Sequence, residues 1–214
     1  MSTDEVTLQS SDGLTLEGIL DAADQPRAAS ILCHPHPKMG GTMNAPMLEA
    51  LTARMTGEGW TVLRFNFRGI GESEGDATTG IEEVQDAKGA IAYMRKRVPE
   101  LPLAVAGWSF GAAVAIRAAA EDDSLVGCVA IAPAVKEKPG ITSGLPPPED
   151  MDLGVPLLIV AAANDDLVET EDCEAWVAGI PHAEVVVIPG ANHFFWAKYD
   201  RLGDEVVGWL NGSI

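Results

Sequence analysis

Six short apolar runs recur along the chain with few polar residues inside them: Ala28 to Cys33, Trp60 to Phe65, Leu101 to Ala106, Val126 to Ala132, Pro156 to Ala162 and Val185 to Ile188. A strand that is apolar on both faces must be covered on both, which is the situation of a parallel sheet flanked by helices. Helical segments fill the intervals. Residues 44–55 offer Asn44 as a cap and Pro46 in the first turn, with Gly57 closing the segment. Residues 81–97 place Ile81, Val84, Ala87, Ile91 and Met94 at helical spacing and end in Arg95, Lys96 and Arg97, which suit the negative end of the helix dipole. Further helices are expected over 112–120, 170–177 and 204–210. The N-terminal stretch alternates instead (Val6, Leu8, then Leu14, Leu16, around Ser11-Asp12-Gly13) and reads as a hairpin. The expectation is an α/β fold with a mainly parallel sheet of about 7–8 strands and right-handed crossovers.

Composition excludes several classes. The 214 residues carry 32 acidic against 14 basic side chains, a net charge of −18, so phosphate backbones and anionic lipid surfaces are repelled. Nucleic-acid and membrane partners are therefore not expected. No apolar run approaches a membrane span, and Met1 to Ser10 holds Asp4 and Glu5 rather than a signal sequence, which points to a cytoplasmic protein. Cys33, Cys128 and Cys173 are odd in number and far apart, a poor basis for disulfides or a zinc site. The length suits one domain over 1–214, in which the proline- and glycine-rich stretch 136–154 reads as a loop.

The chemistry concentrates at strand ends. Gly107-Trp108-Ser109-Phe110-Gly111 lies between an apolar run and a helical one, the setting in which a serine is raised on a sharp turn that needs small neighbours. A serine hydroxyl is a weak nucleophile until a histidine takes its proton and a carboxylate orients that histidine. His193 follows the last apolar run, whereas His182 sits between Pro181 and a strand and reads as a surface residue. Asp165 and Asp166 follow the run ending at Ala163. Asp165 is preferred, because Asp166 opens an acidic stretch explained by solvation or by the next helix's dipole. Trp108, Phe194, Phe195 and Trp196 flank the serine and histidine as a possible apolar rim, or as packing for the C-terminal helix.

Together these motifs resemble the nucleophile, acid and histidine loops of the α/β-hydrolase superfamily: Gly107 to Gly111, Ala162 to Val168 and Gly190 to His193. Cys33-His34-Pro35-His36-Pro37-Lys38-Met39-Gly40-Gly41 is similar to the oxyanion loop of a compact, lidless bacterial subgroup, and Arg68-Gly69-Ile70-Gly71-Glu72-Ser73-Glu74-Gly75 to the superfamily's loop after its fourth strand. The resemblance implies a triad of Ser109, Asp165 and His193 and an oxyanion hole from the backbone N–H groups of Phe110 and His36. Neither Pro35 nor Pro37 can donate. It implies a structural Asn66, an Arg68 that fixes its loop, no metal and no cofactor, although His34 and His36 also match an H-x-H pair. A cap would fall between the sixth and seventh strands, where only 136–154 is available, so an open site without a cap domain is expected.

These readings converge on a carboxylesterase acting on short or accessible acyl esters through an acyl-enzyme. Thioester, amide or peptide cleavage and perhydrolysis use the same residues and stay open, while a non-catalytic binding protein on a hydrolase fold is the reading from a different class. No residue stands out in the sequence as placing a charge for substrate recognition, and the sequence leaves the oligomeric state undefined.

Overall fold

In a computed structural model, which describes residues 2–214, the chain runs β1 (Ser2–Gln9), β2 (Thr15–Ala22), β3 (Ala28–Cys33), α1 (Pro46–Gly57), β4 (Trp60–Phe65), α2 (Glu83–Arg97), β5 (Leu103–Trp108), α3 (Phe110–Ala119), β6 (Gly127–Ile131), β7 (Leu157–Ala162), α4 (Thr170–Val177), β8 (Ala183–Ile188) and α5 (Tyr199–Asn211). The strands form an eight-stranded sheet in the order β1-β2-β4-β3-β5-β6-β7-β8. β1 and β2 pair antiparallel, as do β2 and β4, and every later pairing is parallel. This is the mainly parallel α/β arrangement expected from the apolar runs, with the antiparallel N-terminal pair expected from the alternating stretch. Among the described residues, no helix is long and apolar enough to cross a membrane.

Strand periodicity divides the core in two. Ala29, Ile31 and Cys33 of β3, Leu103 and Val105 of β5, and Leu157 and Ile159 of β7 face the layer containing α2, α3 and α4. Their alternating neighbours, among them Leu32, Ala104, Ala106, Trp108, Leu158 and Val160, face α1 and α5. Both faces are covered, so β3 to β7 are buried along their whole lengths.

Several boundaries differ from the sequence reading, each for a local reason. β5 lies two residues later than 101–106, because its ladder pairs Cys33 with Gly107 and Trp108 with Ile131, while Pro102 has no N–H to contribute. The strand thus runs directly into Ser109. α2 begins at Glu83 and leaves Ile81 half exposed, since the Glu83 carboxylate accepts hydrogen bonds from Thr78 and Gly80 and fixes the approach to the helix. The residue capping α1 is Ala45; Asn44 instead offers its Oδ1 to Arg64 at 3.4 Å. α5 begins at Tyr199 rather than near residue 204.

The loop after β4 is held by Arg68. Its buried guanidinium lies 2.7 Å from Asp86 Oδ1, 2.9 Å from Asp12 Oδ2 and 3.3 Å from Glu82 Oε2, and its backbone N–H also donates to Asp86. One side chain therefore ties this loop to α2 and to the β1–β2 turn. Burial raises the pKa of Asp86 despite the opposing pull of Arg68, a measure of how dry the pair is. Replacing Arg68 alone strands a fully buried carboxyl, so Arg68→Met is expected to cost about 3–5 kcal/mol of unfolding free energy in urea titrations. Arg68→Met/Asp86→Leu should recover much of that loss, and a single-variant loss below about 1 kcal/mol would contradict this account of the pair.

Candidate active site

Ser109 occupies the turn between β5 and α3 at φ 57°, ψ −115°, a conformation L-residues rarely adopt. It is held there by its own N–H, which donates to the Ile131 carbonyl at 2.7 Å. The glycines on either side are sterically required. A Cβ on Gly107 would stand 2.2 Å from the Gly111 carbonyl oxygen, and one on Gly111 would stand 2.3 Å from that of His34. The Ser109 carbonyl already accepts from Ala112 and Ala113, whereas the N–H of Phe110 opens α3 and belongs to the helix's unpaired first-turn donors.

His193 meets the serine from the loop after β8. Its Nε2 lies 3.0 Å from Ser109 Oγ, and its Nδ1 lies 2.8 Å from Asp165 Oδ2. Asp165 Oδ1 accepts from the N–H groups of Leu167 at 2.8 Å and Val168 at 2.9 Å. Burial alone would raise the Asp165 pKa; the hydrogen bonds from His193, Val168 and Leu167 outweigh it and hold the carboxyl below the usual range. Asp166, the competing carboxylate of the sequence, turns to the cavity wall instead. The acid and histidine loops are joined by Ala163 N–H to Ile188 O at 3.2 Å and Asn164 N–H to Ala191 O at 2.8 Å.

The loop after β3 brings His34 and His36 to this end of the sheet, and both imidazoles are engaged. His34 Nε2 accepts from Phe67 N–H at 3.0 Å, so its Nδ1 carries the proton and donates to the Pro35 carbonyl at 2.7 Å. His36 is the other tautomer: Nδ1 accepts from Lys38 N–H at 3.1 Å and Nε2 donates to the Ile141 carbonyl at 2.9 Å. Its ring packs 5.0 Å from that of Phe110, centroid to centroid. Asn66 links this loop to β2, accepting from Met43 N–H and donating to Glu17.

A cavity of about 410 Å³ opens over Ser109, His193, His36 and Phe110. Residues 134–142 supply one wall, including Val135 and Ile141, and residues 166–172 the other, including Leu167 and Val168, with Met39 also contributing. The aromatic rim expected from sequence lies elsewhere: Trp108, Phe194 and Trp196 do not line this cavity. Trp108 is the last residue of β5, and strand alternation sends its side chain to the α1–α5 face, opposite Phe110. There its indole N–H donates to the His193 carbonyl at 3.1 Å, and Phe194 packs edge-on to both rings. Trp196 stacks on Phe194 at 4.9 Å and is largely exposed, whereas Phe195 is fully buried against the α1–α5 face.

The sequence reading missed the charged part of the wall. Lys136 pairs with Asp172 at 2.7 Å, Lys138 donates to the Leu167 carbonyl at 2.9 Å, and Asp166 and Glu169 stand nearby in the lining. The available signal was positional, because these residues follow the C-terminal ends of β6 and β7, where sites form in open α/β sheets.

The fold and this serine-centred geometry define the chain as an α/β serine hydrolase. Residues 24–153, more than half of it, match the family described as serine aminopeptidase, S33, and the chain belongs to that family. The matched span contains the His34 and Arg68 loops and Ser109, while Asp165 and His193 follow it. An α/β serine hydrolase homologue from Coxiella burnetii superposes with a TM-score of 0.84 at 30% identity, over 98% of each chain. A lidless α/β serine hydrolase from Xanthomonas campestris gives 0.81 at 27% identity, over 96% of this chain and 92% of its own. An uncharacterized protein of Rickettsia prowazekii is 29% identical over 91% of this chain and 84% of its own.

Burial pushes the His34 pKa down from 6.5 to about 4. A folded value below the unfolded one means that its stabilisation is complete above pH 6.5 and is lost as the pH falls toward 4. The loss expected in urea titrations across that window is on the order of 3 kcal/mol. His34→Gln, which retains an acceptor without a titrating ring, should flatten the slope whatever its stability at neutral pH. An unchanged slope would show that another group sets the acid sensitivity.

Proposed function

We propose that this chain hydrolyses carboxylic esters through an acyl-enzyme, with Ser109 as nucleophile, His193 as general base and then acid, and Asp165 orienting the imidazole. The observation that carries the reading is the unbroken chain of hydrogen bonds from Ser109 Oγ through His193 to Asp165. With Nδ1–H committed to Asp165, Nε2 is left unprotonated toward the hydroxyl and can take its proton as Oγ attacks the acyl carbon. The N–H groups of Phe110 and His36 receive the oxyanion, aided by the positive end of α3. His193 returns the proton to the departing alcohol, and water then repeats the sequence on the acyl-enzyme.

A small or medium acyl group suits the cavity, since its volume lies near the low end for small-molecule sites and its lining includes Val135, Ile141, Leu167 and Val168. Residues 136–154 stand where a cap would be inserted and leave the cavity open, in a chain read as a single domain over 1–214. Amide cleavage is the second reading, favoured by the family's description as a serine aminopeptidase. Ser109→Ala is expected to lower turnover of a short-chain nitrophenyl ester by at least about 1000-fold. A panel of ester, thioester and amide leaving groups should rank esters first; full activity in the alanine variant would overturn the reading, and faster amide turnover would favour the second.

A further inference from the structure

The segment after β6 braces the site from both sides. Lys138 and Thr142 close a small loop on each other, with Lys138 N–H to Thr142 O at 2.9 Å and Thr142 N–H to Lys138 O at 3.0 Å. Ser143 ties it to Thr79 through its backbone N–H and its hydroxyl, both at 2.8 Å. From this base the Ile141 carbonyl takes the His36 ring on the oxyanion side, and Lys138 Nζ reaches the Leu167 carbonyl, 2.9 Å away, on the acid side.

The Lys138 contact bears on the chemistry because of the amide it touches. The carbonyl of Leu167 and the N–H of Val168 are two ends of one planar peptide group. Its oxygen end receives the ammonium, and its N–H end donates to Asp165 Oδ1 at 2.9 Å. A cation at the carbonyl polarises the amide and strengthens its N–H as a donor, while also fixing the plane in which that N–H points. Neighbouring Lys136 is neutralised by Asp172, whereas the hydrogen bond of Lys138 runs to a neutral carbonyl.

We propose that Lys138 is a positioning residue that acts on Asp165 through the 167–168 peptide and so sets the orientation of His193. The proposal rests on the reading of Ser109, His193 and Asp165 as a triad. It requires the lysine to influence the chemical step even though its side chain also lines the cavity.

The test is a double-mutant cycle on ester turnover with Lys138→Met, Lys138→Arg and Asp165→Asn, each checked for unchanged thermal unfolding of the Lys138 variants. Lys138→Met should lower kcat about three- to tenfold, the effect of one charge-assisted hydrogen bond at an exposed site, with KM changing less than about twofold. Lys138→Arg should restore most of the loss. In the Asp165→Asn background, removing Lys138 should change kcat less than about twofold, because the group it acts through is gone. An unchanged kcat in Lys138→Met, a change confined to KM, or an equal loss in both backgrounds would overturn the proposal and leave the triad reading standing. Full activity in Asp165→Asn would instead overturn the triad reading, and the proposal with it.

Discussion

The turn at Ser109 governs the geometry of the whole active end. A residue held in such a sparsely populated conformation costs about 1–3 kcal/mol and persists only where its surroundings over-determine it. Here the surroundings are two neighbouring strands and a helix. Ser109 N–H is tied to Ile131 of β6, its carbonyl accepts from Ala112, Ala113 and Ala134, and β5 is clamped between β3 and β6. Gly107 and Gly111 let these backbones approach to distances that any side chain would forbid. The hydroxyl is consequently presented by rigid elements, and the remaining groups need only be brought to it.

They come from loops, and the loops are made stiff by different means. The acid and histidine loops are stitched to one another by two backbone hydrogen bonds, so Asp165 and His193 are linked beyond their own contact. Phe195 anchors the histidine loop in the α1–α5 core, and Trp108 holds the His193 carbonyl. The loop after β3 is secured by its two imidazoles, each with both ring nitrogens in hydrogen bonds. Arg68 and Asn66 then fasten the adjoining loop after β4 to α2 and β2. The segment after β6 joins the two sides by reaching Leu167 and His36.

Much of this was legible in the chain because it rests on local signals. Apolar runs without alternation announce buried strands, and β3 and β4 fall where those runs lie. The glycine spacing around Ser109 and the strand-end positions of Asp165 and His193 mark a site built from the ends of several strands. What stayed hidden depends on which way side chains leave the backbone. Trp108 and Phe110 are two residues apart, yet they lie on opposite faces of the sheet, because Ser109 reverses the chain between them. Adjacency in sequence therefore assigned Trp108, Phe194 and Trp196 to a rim that residues 134–142 and 166–172 actually form. The boundaries of β5 and α2 shifted because the β5 ladder and the Glu83 clamp override the apolar pattern. The pairing of Lys138 with Leu167 joins residues 29 apart through a side chain and a carbonyl, and no local pattern encodes such a contact.

The central claim is that one serine, activated by this geometry, is the group that attacks. The most direct test is reaction of the folded protein with a fluorophosphonate, followed by intact mass and peptide mapping. The account predicts a single stoichiometric adduct on Ser109, formed at neutral pH and abolished on denaturation before labelling. Absence of an adduct, or an adduct mapped to any other residue, would contradict it.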